Sequence, residues 1–241
     1  MNSLRDRVSN FRDIRVGNVI WKKRPEGNST GPETMKIVAL GDSLTVGETG
    51  FIASDERVAS YPECLERFAE EYLRSHHSEA KLEVVNKGVN GDLTSGMLER
   101  FPRDVVAEKP DYVIIMGGAN DIGWGLDVAT ITHNLANVYD ATRSEGIGAV
   151  ACAIPSILGC DELIPPRLQL NKAISREAEN RQIAFLDVFK ATADQRNNRL
   201  MEEYSADGLH LNAKGYERIG KCAFDGWLKS VLDGTLNVSQ V

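Results

Sequence analysis

From Met35 onward, short apolar runs alternate with longer amphipathic stretches. This alternation restricts the chain to a parallel sheet with helices packed over both faces. The apolar runs fall at residues 37–40, 82–86, 112–116, 147–154 and 183–187, which predicts five strands. Between them, Pro62 suits the first turn of a helix carrying Leu65, Phe68, Ala69, Tyr72 and Leu73. Thr94 is placed to cap a helix through Met97, Leu98 and Phe101 that Pro102 interrupts or ends. Asp127 opens the next helix and Gly146 closes it. Residues 155–166 read as a loop, 168–182 as a helix, and Asn212 as the cap of a closing helix to about Leu232. The fold class is therefore α/β.

A chain of 241 residues, 42% hydrophobic and 26% charged, fits one such domain, placed here at 35–233 with a frayed tail at 234–241. Residues 1–34 form an N-terminal extension. In it Phe11, Ile14, Val16, Val19, Ile20 and Trp21 are interleaved with charges, a pattern for an added strand, an arm on a partner surface that would support an oligomer, or an ordered tail. The net charge of −7 lacks the basic footprint that nucleic acid requires. The charged N-terminus builds no secretory signal and no later stretch reaches membrane-spanning length, so a cytoplasmic location with no integral membrane segment is expected. Cys64, Cys152, Cys160 and Cys222 show no C-x-x-C pair and read as buried free thiols, with no metal site.

The first apolar run enters Gly41-Asp42-Ser43 directly, and such a turn lifts the serine hydroxyl off the carboxyl edge of the sheet, where ligands bind in open α/β folds. A serine alone does nothing at neutral pH, and most serines after a strand merely cap a turn. Three further polar segments converge on the same edge. Asn86-Lys87-Gly88-Val89-Asn90-Gly91-Asp92 follows the second strand, and its glycines let a backbone N–H approach a ligand, with Gly91 the better placed donor. Gly117-Gly118-Ala119-Asn120-Asp121 follows the third strand, where the Asn120 amide can face developing negative charge. Near the C-terminus, Asp207 precedes His210 by three residues, so that a turn at Gly208 sets a carboxylate against one ring nitrogen while the other faces Ser43.

These blocks, in this order and each at a strand end, closely resemble the GDSL hydrolases of the SGNH superfamily. Gly41-Asp42-Ser43-Leu44 is the name-giving block, followed by Gly91, Gly118-x-Asn120-Asp121 and Asp207-x-x-His210, and the resemblance runs from about Lys36 to Leu232. It implies a flavodoxin-like three-layer α/β/α sandwich with a five-stranded parallel sheet, and hydrolysis of a small-molecule ester without metal or organic cofactor. It further implies Ser43 as nucleophile, His210 as base, Asp207 as orienting acid, and an oxyanion hole of the Ser43 N–H, the Gly91 N–H and the Asn120 amide. Members often begin almost at the first strand, whereas this chain carries some thirty additional residues. The Gly-x-Ser-x-Gly elbow of the α/β-hydrolases is absent, since Thr45 stands two after Ser43.

Phe51, Ile52, Trp124, Ile157 and Leu158 lie on loops at the same edge and are candidates for an acyl pocket, or else ordinary packing residues. An acyl pocket favours carboxylic esters with short to medium chains. The alternative within the enzyme class is a carbohydrate acetylesterase with the same triad, because loops rather than the triad set that choice. A nucleotide-binding module does not fit, as neither glycine cluster has Walker or dinucleotide spacing. A non-catalytic relative would not need Ser43, Asn120, Asp207 and His210 together.

Overall fold

The computed structural model of the chain describes residues 13–16, 19–22, 34–50 and 58–238. Strands β3 (Thr34–Gly41), β4 (Lys81–Gly88), β5 (Tyr112–Met116), β6 (Gly148–Cys152) and β7 (Ala184–Leu186) form one sheet in the order β4-β3-β5-β6-β7. Every pairing in it is parallel. Strands of a parallel sheet are covered on both faces, which is why Ile37, Val38, Ala39 and Leu40 form an unbroken apolar run and are all fully buried. The edge strand β4 is less covered and keeps charged residues such as Glu83 and Lys87.

Helices α1 (Ser43–Val46), α2 (Tyr61–Ser75), α3 (Thr94–Asp104), α4 (Ala119–Gly123), α5 (Val128–Ser144), α6 (Ile164–Arg181), α7 (Val188–Thr192), α8 (Ala213–Ala223) and α9 (Lys229–Val238) fill the connections. Helix α2 packs with α8, while α5 lies between α3 and α6, giving a helical layer on each side of the sheet. The result is the flavodoxin-like α/β/α sandwich, with all strands ending at one edge.

Several sequence signals act as expected. Pro62 stands in the first turn of α2 behind Ser60, which forms a capping box with Glu63. Asp127 caps α5 by accepting from the Thr130 N–H at 2.9 Å, and Asn212 caps α8 by accepting from Gly215 at 3.1 Å. Others act differently. Pro102 neither ends nor interrupts α3, which continues through it to Asp104. Helix α6 begins at Ile164, because Pro165 and Pro166 occupy a first turn whose N–H groups need no partner within the helix. The closing helix passes Leu232, running through a wide π turn at Phe224–Leu228 into α9 and on to Val238.

In the N-terminal extension, β1 (Asp13–Val16) and β2 (Val19–Lys22) pair antiparallel with each other as a separate two-stranded sheet, not as a strand added to the main one. All four cysteines are free, with Cys64 and Cys152 buried but Cys160 and Cys222 only partly so. Burial pushes the Cys152 thiol pKa well above its usual range. Among the described residues no helix is long and apolar enough to cross a membrane.

Candidate active site

Strand β3 ends at Gly41, and Asp42 turns the chain into α1. The Asp42 carboxylate caps this helix by accepting from the Leu44 N–H at 3.0 Å, and Gly47 closes it in the left-handed region at φ 96°. Position 41 admits no side chain, since a Cβ there would lie 2.1 Å from the Thr45 hydroxyl and 2.7 Å from the Met116 carbonyl. Ser43 is thereby presented half-buried at the sheet edge. Burial pushes the Asp42 carboxyl up to about 6 against the pull of the Leu44 N–H and the charge of Arg167. Arg167 is itself almost fully buried, donates to the Pro155 carbonyl at 2.9 Å, and is brought down to about 10 by that burial.

His210 reaches this turn from the far end of the chain. Its Nε2 lies 3.2 Å from Ser43 Oγ, and its Nδ1 lies 2.8 Å from Asp207 Oδ2. The other carboxylate oxygen, Asp207 Oδ1, accepts from the N–H groups of Leu209 at 2.9 Å and His210 at 2.7 Å, so Asp207 and His210 are held in one tight turn. Ser205 braces that turn by donating to the His210 carbonyl at 2.5 Å and accepting from the Gly208 N–H at 2.9 Å. Gly208 has φ 85°, and a Cβ there would lie 2.3 Å from the Leu158 carbonyl oxygen. Burial alone would raise the Asp207 pKa, but hydrogen bonds from the His210 ring and the two N–H groups outweigh it and hold it below the usual value. An ionised Asp207 favours the tautomer with its proton on Nδ1, in which the lone pair of Nε2 faces Ser43.

The second and third blocks end beside the same turn. Gly91 has φ 73° with open space around it, so glycine is needed there for its backbone conformation, whereas Gly88 is needed for closeness, its Cβ position lying 2.3 Å from the Val46 nitrogen. Asn120 donates from Nδ2 to the Asp92 carbonyl at 2.9 Å. An amide carries two such hydrogens, so this bond orients the group and leaves one for a ligand. Asp121 follows on the same turn. It is fully buried and accepts from the N–H and hydroxyl of Thr94, which is therefore held at the start of α3 instead of capping it.

Three contributors escape the motif reading. Arg100 on α3 donates to Gly41 O, Lys87 O and Asp92 Oδ2, each at 2.8 Å, and to Asp104 Oδ2 at 2.9 Å. The available signal is its position between Met97 and Phe101 on the apolar stripe of that helix, where a charge requires partners. Asp92 follows Gly91 directly and joins Arg100 to Asn120. Gly50, at φ 81°, packs so closely on the acid that its Cβ position lies 2.1 Å from Asp207 Oδ2.

The three candidate pocket residues that are described differ in exposure. Trp124 is 77% exposed at the end of α4, Ile157 is 4% exposed within the core, and half-buried Leu158 donates to the Gly208 carbonyl at 2.8 Å. Phe51 and Ile52 lie outside the described residues. Among the described residues no group of three or more His, Cys, Asp or Glu side chains is arranged to hold a metal ion.

A parallel α/β sandwich with these four blocks at its carboxyl edge defines the class of carboxylic ester hydrolases. The chain belongs to the GDSL-like lipase/acylhydrolase family, whose sequence profile matches residues 39–218. It is 32% identical over 200 residues to an acetylxylan esterase of Geobacillus stearothermophilus, covering 75% of this chain and 88% of that protein. It is 26% identical over 181 residues to an arylesterase of Vibrio mimicus, covering 73% and 79%. The crystal structure of a lipase/acylhydrolase from Enterococcus faecalis, 28% identical, superposes with a TM-score of 0.62 over 79% of this chain and 94% of that one.

Proposed function

We propose that the protein hydrolyses carboxylic esters with short to medium acyl chains through a covalent intermediate on Ser43. The observation that carries this reading is the relay in which Ser43 Oγ, the His210 ring and the Asp207 carboxylate follow one another at 3.2 and 2.8 Å. As Oγ attacks the acyl carbonyl, His210 Nε2 takes its proton, and the new negative charge on the carbonyl oxygen meets the N–H groups of Ser43 and Gly91 and the second amide hydrogen of Asn120. Collapse breaks the bond to the alcohol, which leaves with the proton from His210. Water then attacks the acyl group with His210 again as base, releasing the acid and restoring Ser43. Asp207 stabilises the imidazolium in both halves and stays ionised throughout.

Labelling by a fluorophosphonate probe, located by peptide mass spectrometry, tests the nucleophile, and modification of any residue other than Ser43 would overturn it. For the acyl side, kcat/KM is measured over 4-nitrophenyl acetate, butyrate, hexanoate and decanoate. Each buried methylene adds about 0.8 kcal/mol, roughly fourfold, until the chain outgrows the site.

A second reading, an esterase of acetylated carbohydrates, is favoured by Trp124 together with the acetylxylan esterase relative. Trp124 follows Asn120 by one helical turn, its N–H donating to the Asn120 carbonyl at 2.9 Å, so the exposed indole stands on the helix that carries the oxyanion amide. A flat aromatic surface there suits the apolar face of a sugar ring. A steep fall from acetate to butyrate, with acetylated xylo-oligosaccharide as the best substrate, would select this reading.

A further inference from the structure

We infer that Arg100 is a positioning residue for the oxyanion site, acting through Asp92 and two strand-end carbonyls without touching the substrate. This rests on the serine-esterase reading above and concerns how its three donors are held at a fixed separation.

The donors come from separate segments, with Ser43 following β3, Gly91 following β4 and Asn120 following β5. The ladder between β3 and β4 ends at the pair Gly41 and Gly88, and one further backbone bond, from the Val89 N–H to Gly41 O at 3.0 Å, completes it. Past that point the sheet no longer sets the spacing between Ser43 and Gly91. The Arg100 guanidinium takes over there. One Nη hydrogen-bonds Gly41 O, two residues before Ser43, and the other hydrogen-bonds Lys87 O, at the root of the Gly91 loop. Nε grips the carboxylate of Asp92, the residue after Gly91, and the Asp92 carbonyl in turn accepts from Asn120. One planar group thus connects the roots of all three donors, which a lysine ammonium cannot reproduce in the same directions.

The charge arrangement supports the same role. Arg100 is 8% exposed and is flanked by the carboxylates of Asp92 and Asp104, while Arg103 pairs Asp104 from outside. Asp92 is covalently adjacent to the Gly91 donor. An unpaired carboxylate at that position would oppose the negative charge that develops on the substrate oxygen, and pairing with Arg100 offsets it. A residue needed only for folding would lower stability without changing the turnover of the folded fraction.

The test compares purified Arg100→Lys, Asp92→Ala and Asp92→Asn with wild type on 4-nitrophenyl acetate, at a temperature where circular dichroism shows each to be folded. Arg100→Lys is expected to lower kcat about 10- to 100-fold, the range reached when a reacting group or donor is displaced. KM should stay within about threefold, and inhibition by an aryl boronic acid, which forms a tetrahedral adduct on serine, should weaken by the same factor as kcat. Asp92→Ala should lose about tenfold or more in kcat, while Asp92→Asn, which keeps an acceptor for Arg100 Nε, recovers to within about threefold of wild type. If Arg100→Lys does not fold, the Asp92 pair carries the test. The inference is overturned if folded Arg100→Lys and Asp92→Ala keep kcat within about threefold of wild type, if Asp92→Asn loses as much as Asp92→Ala, or if the loss lies in KM alone. Failure of the esterase reading looks different, because the wild type itself would then show no fluorophosphonate adduct on Ser43.

Discussion

Asp121 and Thr94 stand 27 residues apart in the chain, yet the Asp121 carboxylate accepts from the Thr94 N–H at 3.1 and 3.2 Å and from its hydroxyl at 2.6 Å. The turn that carries Asn120 is thereby fastened to the start of the helix that carries Arg100. Asp121→Ala leaves a buried N–H unpaired and removes the acceptor for the proton of the Thr94 hydroxyl, which still accepts from the Asn134 amide at 3.1 Å; this is expected to cost about 2–4 kcal/mol, whereas Thr94→Val, which keeps the N–H bond, should cost about 1–2 kcal/mol. Urea unfolding of both variants checks the order, and an equal loss from each would contradict it.

Ser43→Ala and His210→Ala are each expected to reduce kcat for an aryl ester by at least about 10⁴-fold while leaving the thermal transition in place. The double variant should lose little more, because the two side chains act as one unit. A multiplicative loss in the double variant would show that they act independently.

Activity is expected to fall in acid because His210 serves as base only when its imidazole is neutral. The hydrogen bonds that hold the Asp207 pKa below the usual carboxylate value keep its charge well into that acid limb. Asp207→Asn should therefore lower kcat by about 10³–10⁴-fold at pH 8 as well as at pH 6, through loss of the ring's orientation. Recovery of wild-type turnover at pH 8 would argue that Asp207 acts only by tuning the imidazole's protonation.

Asp42 gives a stability signature of opposite sign to a salt-bridged acid. Its carboxyl rises from 3.8 to about 6 on folding, so the folded chain holds the proton more tightly, and stability falls as pH rises from about 4 to 6 and then levels. At about 1.4 kcal/mol per tenfold change in proton affinity, the full effect above pH 6 is about 3 kcal/mol as an upper bound. Asp42→Asn keeps the capping oxygen and removes this dependence, so its stability relative to wild type should be greater at pH 8 than at pH 4. Chemical denaturation at the two pH values measures it, and a difference that does not change with pH would refute the assignment.

Removing residues 1–32 is expected to leave a soluble, active enzyme. All strands of the main sheet and all residues of the proposed relay lie beyond that point, and among the described residues β1 and β2 pair with each other and not with the main sheet. Gel filtration and turnover of the truncated chain check this, and aggregation with loss of turnover would show the extension to be part of the structure.

What the sequence reveals and what it conceals divide along contact range. The Gly41-Asp42-Ser43 turn, the glycine at 91 and the Asp207-x-x-His210 turn are local devices, each shaped by residues within a few positions, and each is legible as punctuation. Thr94 has the composition of its own cap, but the acceptor comes from Asp121. Arg100 sits among apolar neighbours on α3, and its carbonyl partner at Gly41 lies 59 residues earlier. The pocket is hardest to read because loop residues such as Ile157 carry no mark that separates a wall of a site from a part of the core.

The relay also has a temporal side. Ser43 and His210 are 167 residues apart, and Asp207 is adjacent only to His210. During synthesis Ser43 emerges long before Asp207 and His210, the acid and base of the proposed relay, which arrive together. On that reading a chain not yet extended past His210 carries an ordinary, inert hydroxyl, and acylation of Ser43 marks a molecule in which residue 43 and the 207–210 turn have already met.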